Sequence, residues 1–317
     1  LDGLRALAIL AVVWQHASGW HNVLWRQGDV GVSDWPISGR GFLGVDLFFV
    51  ISGFLIVTLL LRERRRSGAV SLRGFYARRF LRIFPPYYLM LLVFTGVAYL
   101  KPGTTSEAIR RELPFAAFYV SNLVPMHGPL SLTWSLATEE QFYIVVPGLE
   151  KLSRRVFPVL LPVLYVLVSL PPFGILPGVQ MPDFFRNTTF GPILLGVILA
   201  HVLDNPRGYG GMSRAMGHWI SPLFAGALAV LLCSLPVAAI DGWPRLLIHW
   251  SFAGLVASCV VREHHVLKPA LSLWPIRRIG VVSYGIYLYH SIGLYVVYRS
   301  VRYLGIASEM TFFIAAV

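Results

Sequence analysis

Two groups near the start of the chain could do proton chemistry from inside a lipid layer. In LRALAILAVVWQHAS, residues 4–18, Arg5 opens an apolar helix and His16 follows eleven positions later. That spacing is about three turns and about 16 Å of rise, and it puts both on one face. If Arg5 marks the edge of a hydrocarbon layer about 30 Å thick, His16 lies near its middle. A titratable imidazole at that depth is either a functional base or a bundle histidine bonded to a neighbouring helix, and this helix alone favours neither.

Acids sharpen the choice. Of the 15 acidic residues, Asp46, Glu139 and Glu140 fall well inside apolar segments. Each costs about 2.5–3.5 kcal/mol at a helix centre, so each needs a reason. Glu139 stands twelve residues from Lys151, and His290 twelve from Arg278, both about 18 Å in from the same edge. His249 is close to that level, whereas Asp46 is nearer the opposite edge. A carboxylate beside an imidazole fixes its tautomer and raises its basicity, leaving the other nitrogen to take a proton. Glu139 and His16 are expected to pair in this way; the competing reading is a structural Glu–His bond between helices. Glu139 and Glu140 point about 100° apart, so one of the two faces His16. Ser52 is a candidate nucleophile, although a serine bonded to its own backbone is commoner.

A second chemistry is anion binding. The segment LRERRRSGAVSLRGFYARRFLRIFPPYY holds two arginine groups. Arg62 to Arg66 are explained by orientation alone. Arg78, Arg79 and Arg82 stand beside Tyr76, Phe80 and Tyr87, and guanidinium groups bind phosphate bidentately while aromatics can stack on a base ring. They are candidates for a phosphate-bearing ligand, with plain membrane anchoring as the alternative.

The elements that must position these groups are transmembrane helices. The 317 residues are 56% hydrophobic and 13% charged, against roughly 25% charged in a soluble domain. Mean hydropathy is +0.65. The apolar runs are about 20 residues long and do not alternate as barrel strands do, so the class is an all-α polytopic membrane protein. Ten segments are expected: 4–20, 42–61, 80–100, 131–149, 156–171, 187–203, 217–240, 245–261, 279–298 and 307 onward. The shorter patch Leu113 to Val124 reads as re-entrant or interfacial. Pro171, Pro172 and Pro177 punctuate a loop, and Pro85 and Pro86 predict a kink or a delayed helix start. With the N-terminus in the cytoplasm, 18 of the 27 cations fall on the inner side and 9, including Arg26, Arg186 and Arg245, on the outer. The net charge of +12 therefore reads as membrane topology and not as nucleic-acid binding. Gly41, Gly44 and Gly53 permit close helix approach. Cys233 and Cys259 lie in apolar runs and indicate no disulfide framework. The chain reads as one membrane-embedded domain over 1–317, expected to be a fragment with an incomplete last helix.

Five blocks resemble the acyltransferase-3 family of integral-membrane O-acyltransferases. LDGLRALAILAVVWQH is similar to its opening signature through Arg5 and His16, and GFLGVDLFFVISGFLI to its second-span block through Gly44, Asp46, Ser52 and Gly53. FYARRFLRIFPPYY carries Arg78, Arg79, Arg82 and Pro85; TWSLATEEQFY carries Trp134, Ser135, Glu139, Gln141 and Tyr143. A weaker block, SYGIYLYH, supplies Ser283, Tyr284, Tyr287 and His290. The segment from about 155 to 275 carries no signature.

The resemblance implies a ten-span bundle in a bacterial inner membrane. It would move an acyl group, acetyl first among the candidates, from cytoplasmic acyl-CoA to a hydroxyl of a sugar, glycolipid or polysaccharide. Acyl-CoA would be a donor substrate; no permanently bound cofactor and no metal is expected. Arg5, Arg78, Arg79 and Arg82 would hold its phosphates. His16 would act as general base or acyl carrier, charged by Glu139 or Glu140. Asp46, Ser52, Ser135, Tyr143, Tyr287 and His290 would line the cavity. The rival class is a proton-coupled transporter or flippase of a glycan or lipid.

Overall fold

The computed structural model describes residues 1–24, 38–101, 103–126, 128–152, 156–169, 190–235 and 242–304, all in helices or the turns between them. The elements are α1 (Asp2–Leu24), α2 (Leu43–Ser67), α3 (Leu72–Leu100), α4 (Thr104–Ala117), α5 (Thr133–Leu152), α6 (Val156–Ser169) and α7 (Gly191–Asp204). They continue with α8 (Pro206–Met216), α9 (Ser221–Cys233), α10 (Trp243–Val261), α11 (Lys268–Leu271) and α12 (Trp274–Leu304), with short 3-10 turns at Ser38–Arg40, Ser121–Leu123 and Pro129–Leu132. Every expected apolar segment up to 298 has its helix. The tenth, from 307, lies outside the described residues, as do Pro171, Pro172, Pro177, Arg26, Arg154, Arg155 and Arg186.

Among the described residues, four helices are long and apolar enough to cross a membrane: α2, α3, α10 and α12 over Trp274–Ser300. α8 and α9 together pass the same test but are bent by 76°. α6 and α7 are apolar but have 14 residues each, about 21 Å of rise against an about 30 Å layer. The two helices least legible in the hydropathy are α4 and α8, whose charged residues break the apolar run; no residue of α8 is buried.

The proline pair does not delay α3. Ser71 caps the helix by accepting from the Gly74 amide at 3.2 Å, and one helix runs from Leu72 through Pro85 and Pro86. The first turns thus carry the arginines inside regular helix. The cap satisfies an amide that the first turn leaves without an intrahelical partner.

The chain divides into two compact units. The first comprises Leu1–Ile51 and Gly210–Val317. Here α1 lies along α12, and α9 packs on α10. The closeness of α1 and α12 depends on glycine: a Cβ on Gly280 would run into the Asp2 carbonyl. Gly41 and Gly44 play the same part toward the Ala11 and Ala8 carbonyls. The second unit is Ser52–Tyr209. In it α3 packs on α4 and α6 on α7, and Gly53 abuts the Ile193 carbonyl. The three glycines singled out from sequence for close approach all make one.

Candidate active site

In the first unit, α1 holds Arg5 and His16 on one continuous helix. The Nδ1 of His16 lies 2.8 Å from the Val12 carbonyl oxygen. A carbonyl only accepts, so Nδ1 carries the proton and the Nε2 of the neutral ring is a bare lone pair. α12 brings His290 alongside, with ring centroids 4.8 Å apart and planes tilted by 56°. His290 is built the same way: its Nδ1–H donates to the Tyr287 carbonyl at 2.7 Å. Its Nε2 is buried with no hydrogen-bond partner. The Tyr287 ring lies 5.8 Å from that of His290. His16 is exposed and His290 is buried, so the pair joins an accessible base to an enclosed one. The equal depth counted along the sequence brings these two rings together.

Asp46, also in the first unit, is fully buried. Arg245 grips it with both arms, Nε to Oδ2 at 3.2 Å and Nη2 to Oδ1 at 3.3 Å, while the Nε2 of His249 sits 3.1 Å from Oδ2. Residue counting puts His249 at depth and Arg245 among the outer cations, without joining either to Asp46. The available signal was the demand of a buried carboxylate for a cation; which cation is decided by the packing of α2 and α10.

In the second unit, Glu139 accepts hydrogen bonds from the hydroxyls of Ser52 and Tyr143 on one carboxylate oxygen. Ser52 therefore does not spend its hydroxyl on its own backbone, and Tyr143 reaches Glu139 from one turn further along α5. The expected Glu139–His16 pair draws on residues of different units; within its own unit each has the partners just described. Glu140 is buried next to Glu139 in the chain. Ser135 is buried and its hydroxyl donates to the Leu132 carbonyl at 3.3 Å.

The arginine group divides along the helix. Arg79 lies over the Tyr143 ring at 5.0 Å and near the Phe75 ring at 5.8 Å. Arg78 and Arg82, one turn apart, are exposed, and Arg78 is 3.8 Å from Glu63. Of the aromatics expected to stack on a ligand ring, Tyr87 is excluded. It is completely buried, stacked on Tyr119 at 4.3 Å and bonded to the Ala116 carbonyl. Tyr76 gives its hydroxyl to the Ile144 carbonyl, and Phe80 stays exposed.

Two expectations about charge need correction. Arg64 does more than orient the chain: it donates to the Glu150 carbonyl and lies 3.4 Å from the Glu150 carboxylate, which also meets the Nε2 of His201 at 2.6 Å. Arg65 pairs with Asp204 at 2.8 Å. Of the three acids foreseen inside apolar segments, Asp46 and Glu140 are buried and Glu139 is half-buried, and two others join them, Glu112 and Glu150, which are 2% and 1% exposed. Both sit at the margins of apolar segments, where hydropathy gives no hint of burial.

A cavity of about 240 Å³ opens in the first unit between the start of α1 and the α10–α12 region. It is lined by Asp2, Cys259, Glu263, His265, Lys268 and Arg277, and by none of the candidate site residues read from sequence. Its Glu263 carboxyl is held below the usual carboxylate range by the hydrogen bond and charge of Lys268, 2.9 Å away.

The chain is similar to several curated proteins. It is 30% identical over 322 residues to the peptidoglycan O-acetyltransferase OatA of Listeria monocytogenes, covering 92% of this chain and 48% of that one. It is likewise 30% identical to the putative peptidoglycan O-acetyltransferase YrhL of Bacillus subtilis, covering 92% and 47%. The O-acetyltransferase OatA of Staphylococcus aureus matches at 30%, covering 92% and 49%. The chain thus spans about half the length of the curated relatives it matches. No solved structure matches. The acyltransferase domain model of the acyltransferase-3 family matches residues 1–317 from end to end, and the chain belongs to that family.

Proposed function

We propose that this domain is an O-acyltransferase of a bacterial inner membrane, spanning it about ten times with its N-terminus in the cytoplasm. In this reading it moves an acetyl group from cytoplasmic acetyl-CoA to a hydroxyl of a cell-surface polysaccharide. The single observation that carries the chemistry is the His16–His290 pair, two imidazoles whose Nδ1 protons are committed to backbone carbonyls. Each neutral ring therefore keeps a lone pair on Nε2. The acceptor class is supported by the names of the relatives, one a peptidoglycan O-acetyltransferase and another a putative one.

The accessible ring, His16, takes the proton of the attacking hydroxyl. The oxygen forms its bond to the thioester carbonyl carbon, the carbon–sulfur bond breaks, and the departing thiolate recovers the proton from the His16 imidazolium. The buried ring of His290 lies against His16 and fixes its position. Arg78, Arg79 and Arg82 bind the donor phosphates, the planar guanidinium forks matching phosphate oxygens. In membranes containing the protein, acetyl-CoA should release thiol with polysaccharide fragments present, and His16→Ala should abolish that release while the protein stays membrane-inserted. An active His16→Ala variant overturns this assignment.

A further inference from the structure

The Asp46, Arg245 and His249 cluster has no part in the chemistry just described, and its charge arithmetic is informative. Asp46 is completely enclosed, and Arg245 meets both of its oxygens. One carboxylate and one guanidinium already balance, so nothing in the cluster requires an imidazolium. His249, 4% exposed, donates Nε2–H to Asp46, which leaves Nδ1 as the lone-pair nitrogen. That Nδ1 is buried and has no hydrogen-bond partner. A buried acceptor without a donor is costly. The Asp46 bond that locks the ring prevents it from turning to relieve that cost. Arg40 and Cys233 stand at the same end of the unit, with Arg40 donating to the Cys233 carbonyl at 2.8 Å. Neither supplies a donor to Nδ1.

We propose that this triad is a docking point for a hydroxyl of the acceptor, received by the Nδ1 lone pair of His249. The proposal rests on the O-acyl-transfer reading and adds to it a subsite for a hydroxyl-bearing substrate. His249 touches the acceptor. Asp46 and Arg245 are positioning residues that hold the ring tautomer and angle, as carboxylate partners do for functional histidines elsewhere.

The test is His249→Gln, because the glutamine amide keeps an N–H for Asp46 and removes the Nδ1 lone pair. Thiol release from acetyl-CoA is measured in membranes against soluble peptidoglycan glycan fragments as the acceptor probe. The expected result is a KM for the fragments raised about 10-fold, the worth of one buried hydrogen bond, with the KM for acetyl-CoA unchanged. A wild-type KM for the fragments in His249→Gln, with the wild type active, overturns the subsite alone and reduces the triad to a helix clamp. No thiol release by the wild type overturns the transfer reading and the subsite with it. If His249→Gln does not elute as a monodisperse protein from detergent, His249→Gly with added imidazole decides. Fragment affinity recovered in proportion to imidazole supports the subsite, and no recovery overturns it.

Discussion

The rings of His16 and His290 lie 4.8 Å apart, and each has spent its Nδ1 proton on a carbonyl of its own helix. Neither ring can therefore donate to the other while both are neutral, and a single proton shared between them must enter at an Nε2. Being exposed, His16 is the natural entry point, and a proton there charges a ring whose neighbour is enclosed. His290→Gln should lower acetyl transfer less than His16→Ala does. The expected order is a loss of about 10²-fold or more for His16→Ala, the usual worth of a general base, with His290→Gln between it and wild type. Steady-state thiol release from acetyl-CoA in membranes checks the order; equal losses would make both rings equal partners in the proton transfer.

Ser52 and Tyr143 converge on one oxygen of Glu139. Hydrogen bonds to a charged acceptor are worth about 1.5–3 kcal/mol each, but two donors to one atom share its charge. Ser52→Ala and Tyr143→Phe should each reduce stability by about that amount. The double variant should lose less than the sum of the two. Thermal inactivation midpoints of the detergent-solubilised protein read this coupling directly, and strictly additive losses would contradict it.

Glu150 is 1% exposed and meets Arg64 and His201 at the ends of three helices, α2, α5 and α7. Removing one member of a buried ionic group leaves an uncompensated charge, typically about 3–5 kcal/mol. Glu150→Gln should therefore be among the most destabilising conservative changes in the second unit. Arg66→Gln, at an exposed position two residues past Arg64, should be silent. Expression level and the thermal midpoint in detergent separate the two.

What could be read before the fold was known follows from local physics. Apolar length places α1 to α3, α5 to α7, α9, α10 and α12 but not α4, α8 or α11, and counting residues inward from cationic edges puts His16 and His290 at one level, where they meet. The pairing of Asp46 with Arg245 and of Glu150 with Arg64 was out of reach for a different reason. A buried acid announces that it needs a cation, but which of 27 cations answers depends on which helices become neighbours, a non-local fact. Arg64 differs from Arg62 and Arg66 only in helical phase, and a run of arginines already has a sufficient explanation in membrane orientation. The partner of Ser52 is hidden from sequence because a serine's commonest bond is local, whereas here Glu139 of α5 accepts its hydroxyl.

Two glycines of α12 should behave oppositely. A Cβ at Gly280 would strike the Asp2 carbonyl, whereas one at Gly285 would meet nothing within 4 Å. Gly280→Ala must push α1 and α12 apart at the end that carries Arg5, at about 1–3 kcal/mol for an overpacked contact. Gly285→Ala should be neutral or stabilise by up to about 1 kcal/mol through helix propensity. Because His16 and His290 are held together by these same two helices, Gly280→Ala should also lower acetyl transfer while Gly285→Ala does not. Thermal midpoints and thiol release measured on the same preparations test both halves of this expectation.

Arg79 is distinguished from Arg78 and Arg82 by where it lies, over the Tyr143 ring and beside Phe75. Arg79 is half-buried and near both rings, while the other two are exposed. A planar guanidinium both stacks on a ring and offers a fork to phosphate, and a lysine ammonium does neither as well. Replacing Arg78 or Arg82 by Lys should therefore be tolerated, since an exposed point charge can still attract phosphate. Arg79→Lys should weaken acetyl-CoA binding about 10-fold even with the charge retained. Equilibrium binding of acetyl-CoA to the solubilised protein decides it: if all three lysine variants bind alike, the arginines act only as a diffuse basic patch, and the stacked position of Arg79 contributes nothing to donor recognition.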